Sequence, residues 1–243
     1  MPLSSKPDPD SDLALDDEDW PYFPPSTIAW IGLVSATDHL DAIRRHIDAH
    51  FTFPMAHLTM CRSALVGAAQ TAWILAPDDR PTRLLRSRTV IAYGYKNHLQ
   101  YLTGLQNLDT KPHLGTDFVA AHTKERKEQL TEKRKADNQH KDLDTTEMIR
   151  QAAEGVFPGQ PELAAQAILA WRSSSGAAHG LAWPLLGTSG TIQTRLSGDD
   201  GIGEFRAGGS LERIGNVYMA AFHLADRGWK LLRRRGWRTA SSA

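Results

Sequence analysis

His57–Leu75, HLTMCRSALVGAAQTAWIL, decides the fold. Leu58, Cys61, Leu65, Ala68, Ala69, Ala72 and Trp73 recur at three- and four-residue spacing and make one broad apolar face, the period of an α-helix. Pro77, Asp78 and Asp79 then supply a stop. A face this wide marks a central core helix, and the flanking segments carry the same period. Ser35 and Asp38 have the form of a capping box, with Leu40, Ile43 and Ile47 on one face to about His50. Residues 81–105 continue helically, with Gly94 as a weak point.

Residues 118–142 are polar nearly all round, with Lys124 and Glu128 or Glu132 and Lys135 placed for ion pairs, and predict an exposed helical arm. Asp144 with Glu147 starts another helix to about Gly155, and Pro161 at a first-turn position starts the next, 162–171. Between Gly190 and Gly209, TIQTRL and GEFR flank SGDDGI and predict a β-hairpin, with Gly198, Gly201 and Gly203 as turn residues. Ser210 then caps a long amphipathic helix running into LLRRRGWR. The expected architecture is an all-α helical bundle with one small β-hairpin inserted before the last helix. Residues 27–238 form its single domain, and 239–243 a short C-terminal tail.

The chain has 243 residues, 41% of them hydrophobic, enough for a substantial core. Its 28 basic and 28 acidic residues cancel, so no global basic field announces nucleic acid. Residues 1–26 set Lys6 alone against a run of acids and six prolines, a composition that predicts a disordered acidic tail. It serves either as a solubilising arm or as an acidic strap over a basic surface. That order of residues is not a signal peptide, and no apolar run reaches bilayer length, so no membrane association is expected. One cysteine, Cys61, excludes an internal disulfide and fits a reducing, cytoplasmic setting; on the core helix it reads as a buried inert thiol.

One segment looks chemical: Trp171–Gly180, WRSSSGAAHG. On a continuous helix Arg172 and His179 lie two turns apart on nearly one face, about 10 Å along the axis. An imidazole moves protons near neutral pH, and a guanidinium grips phosphate oxygens, so the pair suits phosphoryl transfer. Ser173–Ser175 add hydroxyls, and the small residues around them leave the approach open. The same segment also reads as a tight packing crossing, with Arg172 on an acidic neighbour and His179 hydrogen-bonded in the core. His46 and His50, with His39 nearby, are one turn apart but lack a third ligand, so no metal and no cofactor is expected. Arg80, Arg83, Arg86 and Arg88 form one basic cluster. Arg233, Arg234 and Arg235 with Trp237 form another, whose charges and aromatic face suit an RNA backbone and its bases.

The order of these parts, an Arg-bearing core helix, a polar helical arm and WRSSSGAAHG late in the chain, resembles the HEPN superfamily of all-helical domains. Its ribonucleases carry an Arg, usually followed by a polar residue, and then a His; here SSSGAA separates Arg172 from His179, with Ser173 where Asn, Asp or His is commoner. The resemblance implies a homodimer with facing motifs and metal-independent cleavage of RNA by the ribose 2′-hydroxyl, in a stress or phage-defence setting. In it His179 is the general base or acid, Arg172 stabilises the phosphate and Ser175 positions a phosphate oxygen; an antitoxin or other regulatory partner would accompany such an enzyme. Two other readings stay open: a HEPN-like fold without catalysis that binds RNA or nucleotides or regulates, and a helical protein-interaction scaffold, which would bury and pair both residues.

Overall fold

His57–Leu75 lies within α3, Ala56–Leu75, at the centre of the computed structural model, which describes residues 6–108, 115–199 and 201–237. Around it run α1 (Asp12–Asp17), α2 (Pro25–Asp48), α4 (Arg80–Gln106), α5 (Thr116–Ala136), α6 (Thr145–Val156), α7 (Pro161–Ala178) and α8 (Leu211–Gly236). Between α7 and α8 stands one antiparallel hairpin, β1 (Thr191–Arg195) with β2 (Glu204–Ala207). The protein is an all-α bundle with a small hairpin before its last helix. Among the described residues no helix is long and apolar enough to cross a membrane. The expected tail at 239–243 lies outside the described residues.

α3 packs against α2, α6, α7 and α8, and its small side chains explain how one helix takes so many neighbours. Ala64, Ala68, Ala69 and Ala72 are buried along it. At the crossing with α2 two glycines meet: a Cβ on Gly67 would lie 2.5 Å from the Gly32 carbonyl oxygen. Thr71 Oγ1 closes the crossing by donating to the Ala29 carbonyl at 2.9 Å. Cys61 is sealed in this core, and burial pushes its thiol up to about 12, far from a reactive thiolate.

α2 begins ten residues before the Ser35–Asp38 capping box. Pro25 occupies the first turn, where its missing N–H costs nothing, and Ile28, Ala29 and Leu33 are buried ahead of Ser35. α5 is no free arm: Ala120, Thr123, Leu130 and Arg134 are buried and it packs along α4. Ser210 holds the N-cap position of α8, but its side chain accepts no capping bond.

The acidic segment departs most from expectation. Residues 6–26 are not a disordered tail; they lie against the bundle as a strap. Leu13 is fully buried and Trp20 nearly so, with Trp20 Nε1 donating to the Tyr95 hydroxyl at 3.2 Å. Asp16 receives Arg83 at 2.6 and 3.2 Å and Arg80 at 3.2 Å. Asp19 receives Arg88 at 2.6 Å and Lys133 at 3.1 Å, and Asp12 receives Arg235 at 2.7 Å. Burial alone would push Asp19 up, but Arg88 and Lys133 outweigh it and hold its carboxyl below the usual range. Composition treats charge as a solvating load; here Asp12, Asp16 and Asp19 each have a specific guanidinium or ammonium, Asp17 accepts from Ser26, and two apolar anchors supply the rest.

Candidate functional site

WRSSSGAAHG forms the last turns of α7 and its cap, whereas the sequence reading ended that helix at Trp171. The stop is Gly180, at φ +70°, a backbone region that suits glycine. Around it the Leu181 N–H donates to the Gly176 carbonyl and the Gly180 N–H to that of Ala177, both at 3.0 Å, the paired bonds of a Schellman ending. His179 is therefore the C-cap residue, held by the geometry that terminates the helix.

The inner side of this segment is packed. Trp171 is buried and donates from Nε1 to Thr146 Oγ1 on α6 at 3.2 Å. The Arg62 guanidinium of α3 lies 4.9 Å from the centre of the Trp171 ring, so the core helix does approach the motif. Ser174 is buried and turns its hydroxyl back to the Trp171 carbonyl at 3.0 Å. Packing also reaches the other side: Gly176, about 40° around the axis from Arg172, lies under the ring of Trp183, where a Cβ would come within 2.6 Å of it.

The outer side carries the proposed chemistry. Arg172 and His179 are both exposed and Ser175 is half-buried. Relative to Arg172, Ser175 is turned by about 60° and His179 by about 20° around the axis, so the three share one face. Neither Arg172 nor His179 makes a side-chain hydrogen bond or ion pair among the described residues, and no carboxylate neutralises Arg172. Ser173 lies on a different side and lines a groove against α8.

The basic cluster at the chain's end divides. Arg235 is buried and belongs to the fold: Nε donates to the Leu75 carbonyl at 2.6 Å, Nη1 to Asp12 at 2.7 Å, and Nη2 to the Pro77 carbonyl at 2.6 Å and Asp78 at 2.8 Å. It caps the end of α3, where carbonyls lack helical partners, and has no donor face left for RNA. Arg234 is exposed and reaches Asp78 at 3.2 Å, whereas Arg233 is exposed with no ion pair or hydrogen bond among the described residues. Trp237 is half-buried against the core. Arg83 and Arg88 of the other cluster are buried under the strap, and Arg86 stacks on Trp73 at 4.9 Å.

His46 turns from His50 toward a residue the sequence did not single out. His57 is fully buried, and its Nε2 lies 3.1 Å from His46 Nδ1. The Phe53 N–H donates to His57 Nδ1 at 3.3 Å, which places the His57 proton on Nε2, facing His46. Burial, reinforced by His46, pushes His57 below the usual imidazole value. Among the described residues no three ligating side chains gather as a metal site. No protein-family model, curated protein or solved structure matches the chain.

Proposed function

We propose that this chain is a HEPN-like, metal-independent ribonuclease that works as a homodimer through the exposed face of α7. One observation carries the reading: Arg172 and His179 share that face and neither is used by the fold. A packing or scaffold role would bury and pair them, as it does Trp171 and Ser174 beside them.

The ribose 2′-oxygen attacks the adjacent phosphorus, its proton passing to the His179 imidazole, while the bond from phosphorus to the 5′-oxygen breaks. The products are a 2′,3′-cyclic phosphate and a 5′-hydroxyl, which takes up a proton. Arg172 balances the charge that gathers on the phosphate oxygens in the transition state, and Ser175 donates a positioning hydrogen bond. The axial offset of about 10 Å between Arg172 and His179 exceeds the width of one phosphate. In the dimer, Arg172 of one copy therefore works with His179 of the partner subunit. Arg233 and Arg234 offer exposed charge for the RNA backbone elsewhere on the surface.

The test is cleavage of a ribo-oligonucleotide in EDTA, beside its deoxy counterpart and the variants R172A and H179A. Cleavage of RNA alone, lost in both variants, supports the reading. A mixture of the two inactive variants regains partial activity if the site is shared across subunits; no recovery in exchanged dimers argues for a site within one chain.

A further inference from the structure

α7 and α8 flank a groove of about 630 Å³ on a different side of α7 from Arg172, inside the range of roughly 300–1,000 Å³ typical of small-molecule sites. The two helices run antiparallel beside it. Phe157, just before α7, meets His223 of α8 with ring centres 5.7 Å apart, whereas Thr188, just after α7, accepts from Arg213 in the first turn of α8 at 3.0 Å. The groove extends from Leu163 to Ser173 on α7, about 15 Å of helix. Its walls are mainly apolar, with Leu163, Leu169 and Met219 partly exposed to solvent, Gln166 on the α7 side and the His223 ring beside Phe157 at the far end. Its other end is polar, formed by Ser173, Asn216 and Arg213.

Arg213 is the unusual member. Its side chain is 9% exposed, and its guanidinium donates to two neutral oxygens, Thr188 Oγ1 and the Pro54 carbonyl. Nε is buried without a partner, and among the described residues no carboxylate lies within ion-pair distance. Arg83, Arg88 and Arg235 each have an aspartate, whereas Arg134 of α5, as buried as Arg213, has among the described residues only the Lys141 carbonyl and lies away from this groove. The N-terminal turn of a helix already carries positive partial charge, so a buried cation there without a counter-ion leaves the end of the groove electropositive.

We infer that this groove binds a small amphiphile with an anionic head, its carboxylate at Arg213, Ser173 and Asn216 and its aliphatic body along Leu169 and Met219 toward Phe157. The apolar walls recognise the chain, and the uncompensated guanidinium selects a charged head over a neutral one.

The experiment titrates the full-length protein with decanoate, decanol and acetate, followed by calorimetry. Decanoate should bind with decanol and acetate each weaker by about tenfold or more, the scale of a charge-assisted hydrogen bond. Arg213→Gln should lose that preference for the charged head. Because Arg213 also ties Pro54 and Thr188, the second variant is Leu169→Glu, at an exposed position whose thermal midpoint should not move; it places a negative charge on the wall and should weaken decanoate about tenfold. Equal affinity for decanoate and decanol, or decanoate binding unchanged in Leu169→Glu, would overturn the inference. So would a wild-type dimer that Leu169→Glu dissociates while decanoate shows no binding, since the groove would then be a subunit interface.

Discussion

His179 and Arg172 owe their exposure to different causes. His179 ends α7 because Gly180 takes the positive φ that stops the helix, and Arg172 points away from the side on which Ser174 and Ala177 are buried. Neither is used in packing, so R172A and H179A should fold with melting curves superimposable on wild type, while metal-free RNA cleavage falls by about 100-fold or more. His57 predicts the opposite, a stability effect with no catalytic one. Its folded pKa lies below the unfolded value of about 6.5, so the unfolded chain binds the extra proton first. Its contribution is complete above about pH 6.5 and is lost as pH falls from there through the folded pKa. The urea midpoint should drop between pH 7.5 and 5.5, and His57→Gln should flatten that drop; an equal drop in both proteins assigns the acid sensitivity elsewhere. The Arg172–His179 relation was legible because helical geometry fixes it locally. The His46–His57 contact was not, because it joins two helices across a loop, and Arg235 was read as surface charge because a run of arginines does not say which of them faces inward.

At the level of elements, the strap and the α2–α3 crossing make the sharpest predictions. Removing Asp16 leaves the 3%-exposed Arg83 guanidinium without its carboxylate, a change that costs about 3–5 kcal/mol, measured by urea unfolding. Asp48→Ala, which breaks only the exposed pair with Arg44, should cost under about 1 kcal/mol. Comparable losses in the two variants would show that the strap lies loosely on the surface. Gly67→Ala drives a methyl into the Gly32 carbonyl and should destabilise by about 1–3 kcal/mol, because backbone cannot move aside as a side chain can. The apolar period made α3, α4 and α8 legible almost to their ends. α7 was cut short because serines and a glycine are modest helix formers, and tertiary burial of Trp171, Ser174 and Ala177 overrides that preference.

Across the whole molecule, one helix of small residues gathers α2, α6, α7 and α8, and an acidic strap neutralises the arginines around it, which is how a chain with equal positive and negative charge holds so many buried cations. The alternation of helix and turn signals made the bundle and its hairpin readable, whereas the strap's fold depends on partners 60 to 220 residues away, which local composition does not encode. What the fold leaves unneutralised is more informative than what it pairs: Arg172 and His179 on the outer face of α7, and Arg213 at the end of the α7–α8 groove. The catalytic reading rests on the first of these. Its most direct measurement is the rate of cleavage of a ribo-oligonucleotide in EDTA by wild type, R172A and H179A at equal folded concentration. The account predicts a 2′,3′-cyclic phosphate product from wild type and a loss of about 100-fold or more in each variant; no cleavage by wild type, or equal cleavage by all three, would contradict it.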